Sequence, residues 1–175
     1  MPKLSDETLA DAADALTRGD AAGAVQVCTV AGASFFAEPS FTADIDCVLN
    51  LTPQVLSDCP PHILQPLRIA AGLMMLTGGS SIRRFIAIDG DYSYRYDASS
   101  VAHLLVSHAA YLRQRSSMVD IGITKFKTLG SGLPEECATC RKTSRHRFTI
   151  ETLPELPLVD CTCPGGCMCI LITAS

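Results

Sequence analysis

Charge is scarce in this chain, and so are the short motifs that announce an active site. Of its 175 residues only 18% are Asp, Glu, Lys or Arg, while 47% are hydrophobic. A composition of that kind can build a core and argues against disorder. The formal net charge of −4 excludes a generally basic nucleic-acid binder. There is no nucleophile elbow, phosphate-binding loop, H-E-x-x-H helix or His–Cys–Glu arrangement of a zinc deaminase. Catalytic residues scattered along a chain leave no such mark, so an enzyme without a recognisable motif stands as one alternative. A membrane span is missing as well. The longest uncharged run, Ala21 to Ala37, has 17 residues, mostly Ala, Gly and Val, too short and too weakly apolar to cross a bilayer. Acidic residues precede it, not the basic n-region of a signal peptide. The expected location is the cytoplasm, or a virion assembled there.

Cysteine is what the chain has in excess. Six of its nine cysteines fall in the 33 residues from Cys137 to Cys169, as Cys137-x-x-Cys140, Cys161-x-Cys163 and Cys167-x-Cys169. Two cysteines separated by two residues can reach one ion from a single tight turn, and two such half-sites complete a tetrahedron. Cys137 and Cys140 supply the first half. Cys161, Cys163, Cys167 and Cys169 supply the second, with Pro164-Gly165-Gly166 letting the chain fold back between them. The expected cofactor is a structural Zn2+, held by Cys137, Cys140 and Cys161 first and by Cys167 or Cys169 fourth. An odd number of cysteines without a signal peptide argues against a disulfide framework. A binuclear cluster sharing all six thiolates is a further alternative, although the fungal six-cysteine spacing is absent. An iron–sulfur cluster is another that spacing alone does not exclude.

The tail also shows a family likeness. Cys137-x-x-Cys140 is followed by Phe148, by Leu153-Pro154 and Leu156-Pro157, by Cys161, and by Gly166-Cys167-x-Cys169. That order resembles the cysteine-rich, zinc-binding ends of phage head-morphogenesis proteins of the Mu F type and of assorted bacterial proteins. The resemblance covers about a quarter of the chain, carries an extra Cys163, and lacks the usual His-Pro before the last cysteines. It implies virion assembly or an adaptor role.

The rest of the chain reads as a predominantly helical α+β domain, residues 1–130, carrying a β-hairpin; residues 131–175 form the cysteine-rich module. Ser5 caps a helix with Asp6 and Glu7 in its first turn, and Gly19 closes it. Asp20 caps a second helix expected to run to Pro39. Thr42 is placed as the cap of a third, in which Asp44 and Asp46 read as an exposed face. Cys28, Cys47 and Cys59 are left as core or surface thiols. Pro60-Pro61 precedes a long apolar helix to Thr77, with Pro66 moving its start toward Gln65. Phe85–Ile88 and Tyr92–Tyr96 read as a hairpin across Asp89-Gly90. Asp97 caps a helix with Val101, Leu104, Leu105, His108 and Leu112 at helical spacing, which makes His108 a core histidine. Met118 to Leu129 alternate as a strand would, and Cys169 opens a closing strand.

Two surfaces stand out for contacts. Tyr92, Tyr94 and Tyr96 alternate beside Arg83, Arg84 and Arg95, a face for a partner or single-stranded nucleic acid, or else one packed under a helix. Arg141, Lys142, Arg145 and Arg147 stand together without an acid among them, as a phosphate-touching loop would. Residues 1–67 hold two basic and nine acidic side chains, which counts against wide nucleic-acid contact. The expected function is a zinc-binding interaction or assembly protein with a protein partner and no membrane, with a nucleic-acid-associated protein using residues 141–147 as the alternative.

Overall fold

The structure is a computed structural model that describes residues 4–32, 39–78, 85 and 94–174. Among the described residues six α-helices and two short strands follow in order: α1 (Asp6–Thr17), α2 (Ala21–Val30), α3 (Pro39–Asn50), α4 (Pro61–Thr77), α5 (Ala98–Asp120), β1 (Phe126–Leu129), α6 (Ala138–Thr143) and β2 (Ile170–Thr173). A single 3-10 turn, Gln54–Leu56, joins α3 to α4. The expected class, a predominantly helical α+β protein with a small antiparallel pair of strands and a cysteine cluster at the C-terminal end, is what the structure shows. The hairpin expected between Phe85 and Tyr96 lies outside the described residues except at its ends.

The helix starts follow local chemistry. Ser5 accepts a hydrogen bond from the Thr8 N–H at 3.1 Å, Asp20 from Gly23 at 2.8 Å, and Asp97 from Ser100 at 2.8 Å. Gly78, at φ 60°, ends α4 in the left-handed conformation that glycine adopts without a Cβ clash. Other boundaries differ from expectation. α2 stops at Val30, and Pro39 begins α3 instead of ending the helix before it; proline fits a first helical turn, where its missing N–H would have had no partner. α4 likewise starts at Pro61 and tolerates Pro66, an exposed residue that lacks the N–H a helix would aim at the His62 carbonyl. α5 runs on to Asp120, so the strand predicted from Met118 is only Phe126–Leu129. Three residues of helix there override a two-residue alternation.

α4 is the axis of the body. Its Leu73 and Leu76 pack with Leu9, Leu16, Val25, Cys28 and Ile45 in one apolar cluster. Its Leu64, Leu67 and Met74 pack with Val48, Leu104, Leu105 and Ala109 in the other. Helices buried on more than one face are hydrophobic on more than one face, which is why α4 reads as a continuous apolar run. Arg68, 4% exposed, is the exception. It donates to the carbonyls of Val48 and Leu51 at 2.8 and 2.9 Å and to the Thr52 hydroxyl at 2.5 Å, placing its charge at the negative end of α3. Asp44 is buried, not exposed as expected, and its Oδ2 meets Arg113 of α5 at 2.8 Å; Asp46 is exposed.

The second cluster continues without a break into the tail, through Phe126, Leu156, Leu158, Leu171 and four of the tail's cysteines. β1 pairs antiparallel with β2, Phe126 opposite Thr173 and Leu129 opposite Ile170. On its other side, Phe126 exchanges two 2.8 Å backbone hydrogen bonds with Phe148. The chain after residue 130 therefore passes on both sides of β1 before it ends.

Candidate metal centre

The cysteine knuckle is built on α6. Cys137 occupies the N-cap of this six-residue helix, and Cys140 sits one turn on, buried. The helical turn thereby brings both thiols to one side, as a C-x-x-C pair requires. Residues 154–161 carry the second half of the site and are tied to the helical body. His108 Nδ1–H donates to the Leu156 carbonyl at 2.8 Å, Tyr111 to Pro154 at 3.2 Å, and Tyr96 to Cys161 at 3.2 Å. Glu155 in turn accepts the Gln54 N–H at 2.7 Å. The Pro164-Gly165-Gly166 turn then reverses the chain: the Gly166 N–H meets the Cys163 carbonyl at 2.9 Å. Gly166 has φ +85°, and a Cβ there would lie 3.0 Å from Leu104 of α5. Only glycine allows both that backbone and that approach.

All nine cysteines are free thiols. In the tail the sulfurs stand 3.6 Å apart for Cys140–Cys161, 3.9 Å for Cys140–Cys163 and for Cys140–Cys167, and 4.0 Å for Cys137–Cys161. A disulfide would need about 2.05 Å. Four sulfurs at about 2.3 Å from a tetrahedral zinc lie about 3.8 Å from one another, which is the spacing found. Cys137, Cys140, Cys161 and Cys163 have all their sulfurs within 4.8 Å of one another, and so do Cys140, Cys167 and Cys169. The cluster can hold a metal ion.

Electrostatics point the same way. Burial pushes the Cys137 thiol up, but hydrogen bonds from the Cys140 and Thr162 backbone N–H groups, with the thiols of Cys140 and Cys163, outweigh it and bring it to about 6. Hydrogen bonds from the thiols of Cys161 and Cys169 hold Cys167 well below the ordinary thiol range. Cys161 and Cys169 are pushed up by that same bond to Cys167 and by burial, and Cys140 by burial and by the charge on Cys167. Sulfurs so close cannot all ionise unaided; a bound dication removes the competition by neutralising them together. Backbone N–H groups also reach sulfur, Cys137 to Cys163 at 3.3 Å and Cys163 to Cys161 at 3.4 Å.

The structure thus gathers Cys137, Cys140, Cys161, Cys167 and Cys169, all singled out from spacing, and adds Cys163, which the sequence reading had as a surplus. The C-x-C repeat was the signal that placed Cys163 on equal terms with its neighbours. The contact residues are more scattered. Arg141, Lys142, Arg145 and Arg147 are all exposed beside the knuckle. Tyr96 is buried, Tyr94 donates to Asp58 at 2.6 Å, and Arg95 lies over both rings, 5.9 Å from the Tyr94 centroid and 5.1 Å from that of Tyr96. Tyr92 lies outside the described residues. His108 is buried and hydrogen-bonded, the core histidine its helical position predicts. No helix among the described residues is long and apolar enough to cross a membrane. No family model, curated protein or solved structure matches the chain.

Proposed function

We propose that the protein is a zinc-binding interaction protein whose metal is structural, held by Cys137, Cys140, Cys161 and Cys163. One observation carries this reading: four thiols from two separate segments lie within 4.8 Å of one another, three of the pairs at 3.6–4.0 Å, without being bonded to one another. Four protein ligands fill the coordination sphere, which suits a site that staples instead of one that reacts. Residues 131–175 form the stapled module and residues 1–130 the body. Elemental analysis of the full chain, purified without added metal, tests the reading. Zinc bound to the chain is the expected result. Iron with acid-labile sulfide, or no metal at all, overturns it.

Binding to a protein partner is supported by the apolar side chains left outside around the centre. Leu129 and Ile170 are direct partners across β1 and β2, so they project to the same side, and both are about half exposed. Leu133 and Met168, also exposed, line a cleft of about 270 Å³ beside Cys163. The cysteine order that resembles head-morphogenesis tails favours assembly as the setting. Leu129→Lys with Ile170→Lys should abolish a co-purifying complex while zinc is retained; a complex that survives both changes does not use this face. A second reading, contact with nucleic acid, is favoured by the four exposed cations from Arg141 to Arg147. It requires binding to a single-stranded oligonucleotide that weakens steeply with salt.

A further inference from the structure

Six thiols converge where one tetrahedral ion needs four. The two left over, Cys167 and Cys169, are 3% and 7% exposed, so solvent does not account for them. Nor are they distant from the first group. Cys140 belongs to both sets of mutually close sulfurs, one with Cys137, Cys161 and Cys163, the other with Cys167 and Cys169. Cys161 stands 3.6 Å from Cys140, the sulfur common to both sets.

Resting on the zinc reading above, we infer that the tail holds two divalent ions of the zinc class, bridged by the sulfurs of Cys140 and Cys161. Cys137 and Cys163 complete the first tetrahedron, and Cys167 and Cys169 the second. Two tetrahedra that share an edge have one sulfur pair common to both, and that pair is drawn together by two ions. Cys140 and Cys161 have the shortest separation given above, 3.6 Å, against 3.9–4.0 Å for Cys137–Cys161, Cys140–Cys163 and Cys140–Cys167. Both are buried, at 1% and 5% exposure, as the other two sulfurs of the second set are.

Charge favours the arrangement too. One dication with four thiolates leaves a dianion, and adding a second dication with two further thiolates leaves that net charge unchanged. The alternative keeps two thiols buried and protonated beside a thiolate centre. Folding supplies the pathway: the Gly165-Gly166 reversal returns Cys167 and Cys169 over the knuckle, and β2, pairing with β1, fixes Cys169 immediately before Ile170.

The test is metal counting on the full chain, by native mass spectrometry with elemental analysis, followed by 113Cd substitution and NMR. The expected result is two ions per chain and two cadmium resonances split by coupling through shared sulfurs. Cys167→Ser with Cys169→Ser should lower the count from two to one and remove the splitting. One zinc in the parent chain overturns the bridged pair and leaves the structural-zinc reading standing; none overturns both. Two ions with unsplit cadmium resonances overturn the bridging role of Cys140 and Cys161. Because the count and the splitting are read on the parent chain, a variant that fails to fold leaves the test intact.

Discussion

His108 is one strap between the helical body and the cysteine-rich tail, and replacing it with alanine measures that strap. The imidazole is 6% exposed and donates to the Leu156 carbonyl at 2.8 Å. Alanine leaves that carbonyl buried without its donor, at a cost of about 1–3 kcal/mol. It also empties the space of a ring that stacks against Tyr111 at a centroid distance of 6.2 Å. Large-to-small changes in a core cost roughly 2–5 kcal/mol, so the two effects together come to about 3–8 kcal/mol. For a domain of this size that is a fall in Tm of roughly 6–32 °C. Asparagine at the same position keeps a donor near the site of Nδ1 and should recover about 1 kcal/mol of the loss. Tyr111→Phe, which removes the bond to the Pro154 carbonyl, should cost about 0.5–1.5 kcal/mol alone. Both side chains hold residues 154–156, so the double variant should cost less than the sum of the two. The same segment leads into Cys161, and a competing chelator should therefore strip metal faster from His108→Ala than from the parent. Denaturant unfolding with a chelator time course checks all of this. A loss under about 1 kcal/mol with unchanged metal release refutes the idea that His108 couples body to tail.

Other consequences follow from single contacts. Removing the metal with a chelator should cost amide protection at residues 137–169 first, because zinc binding in small sites supplies about 10–16 kcal/mol, more than such a segment can replace; equal protection in α1 and the tail after metal loss would contradict this. Gly166→Ala combines a strained φ with a 3.0 Å approach to Leu104, so thermal unfolding should show a loss of about 1–3 kcal/mol. Arg68→Met strips three acceptors of their donor and should cost about 3–5 kcal/mol in denaturant unfolding. Burial raises the Asp44 pKa more than Arg113 lowers it. A raised carboxyl pKa means that the charged form costs stability at neutral pH, a cost relieved as pH falls through that pKa. Asp44→Asn should therefore equal or exceed the parent in stability at pH 7, and the difference should shrink on acidification; a less stable variant at pH 7 would reverse the assignment.

Much of this molecule is legible locally. Ser5, Asp20 and Asp97 announce their helices because a short polar side chain can satisfy N–H groups three residues on, whatever the rest of the chain does. The paired cysteines announce a candidate metal site because their spacing is a property of one turn. Helical spacing likewise places His108 inside. What distance along the chain conceals is decided by tertiary contacts. Asp44 pairs with Arg113, and Arg68 closes the end of α3, only because α3, α4 and α5 pack together. Pro39 and Pro61 begin helices because a proline's fixed φ suits a first turn as well as it suits a break, and neighbouring residues do not choose between the two. The equal standing of Cys163 depends on how far the Gly165-Gly166 turn folds back and on the pairing of β2 with a strand more than forty residues earlier. Spacing alone can suggest that the sulfurs gather; only the folded path of the tail over α5 determines which of them stand together.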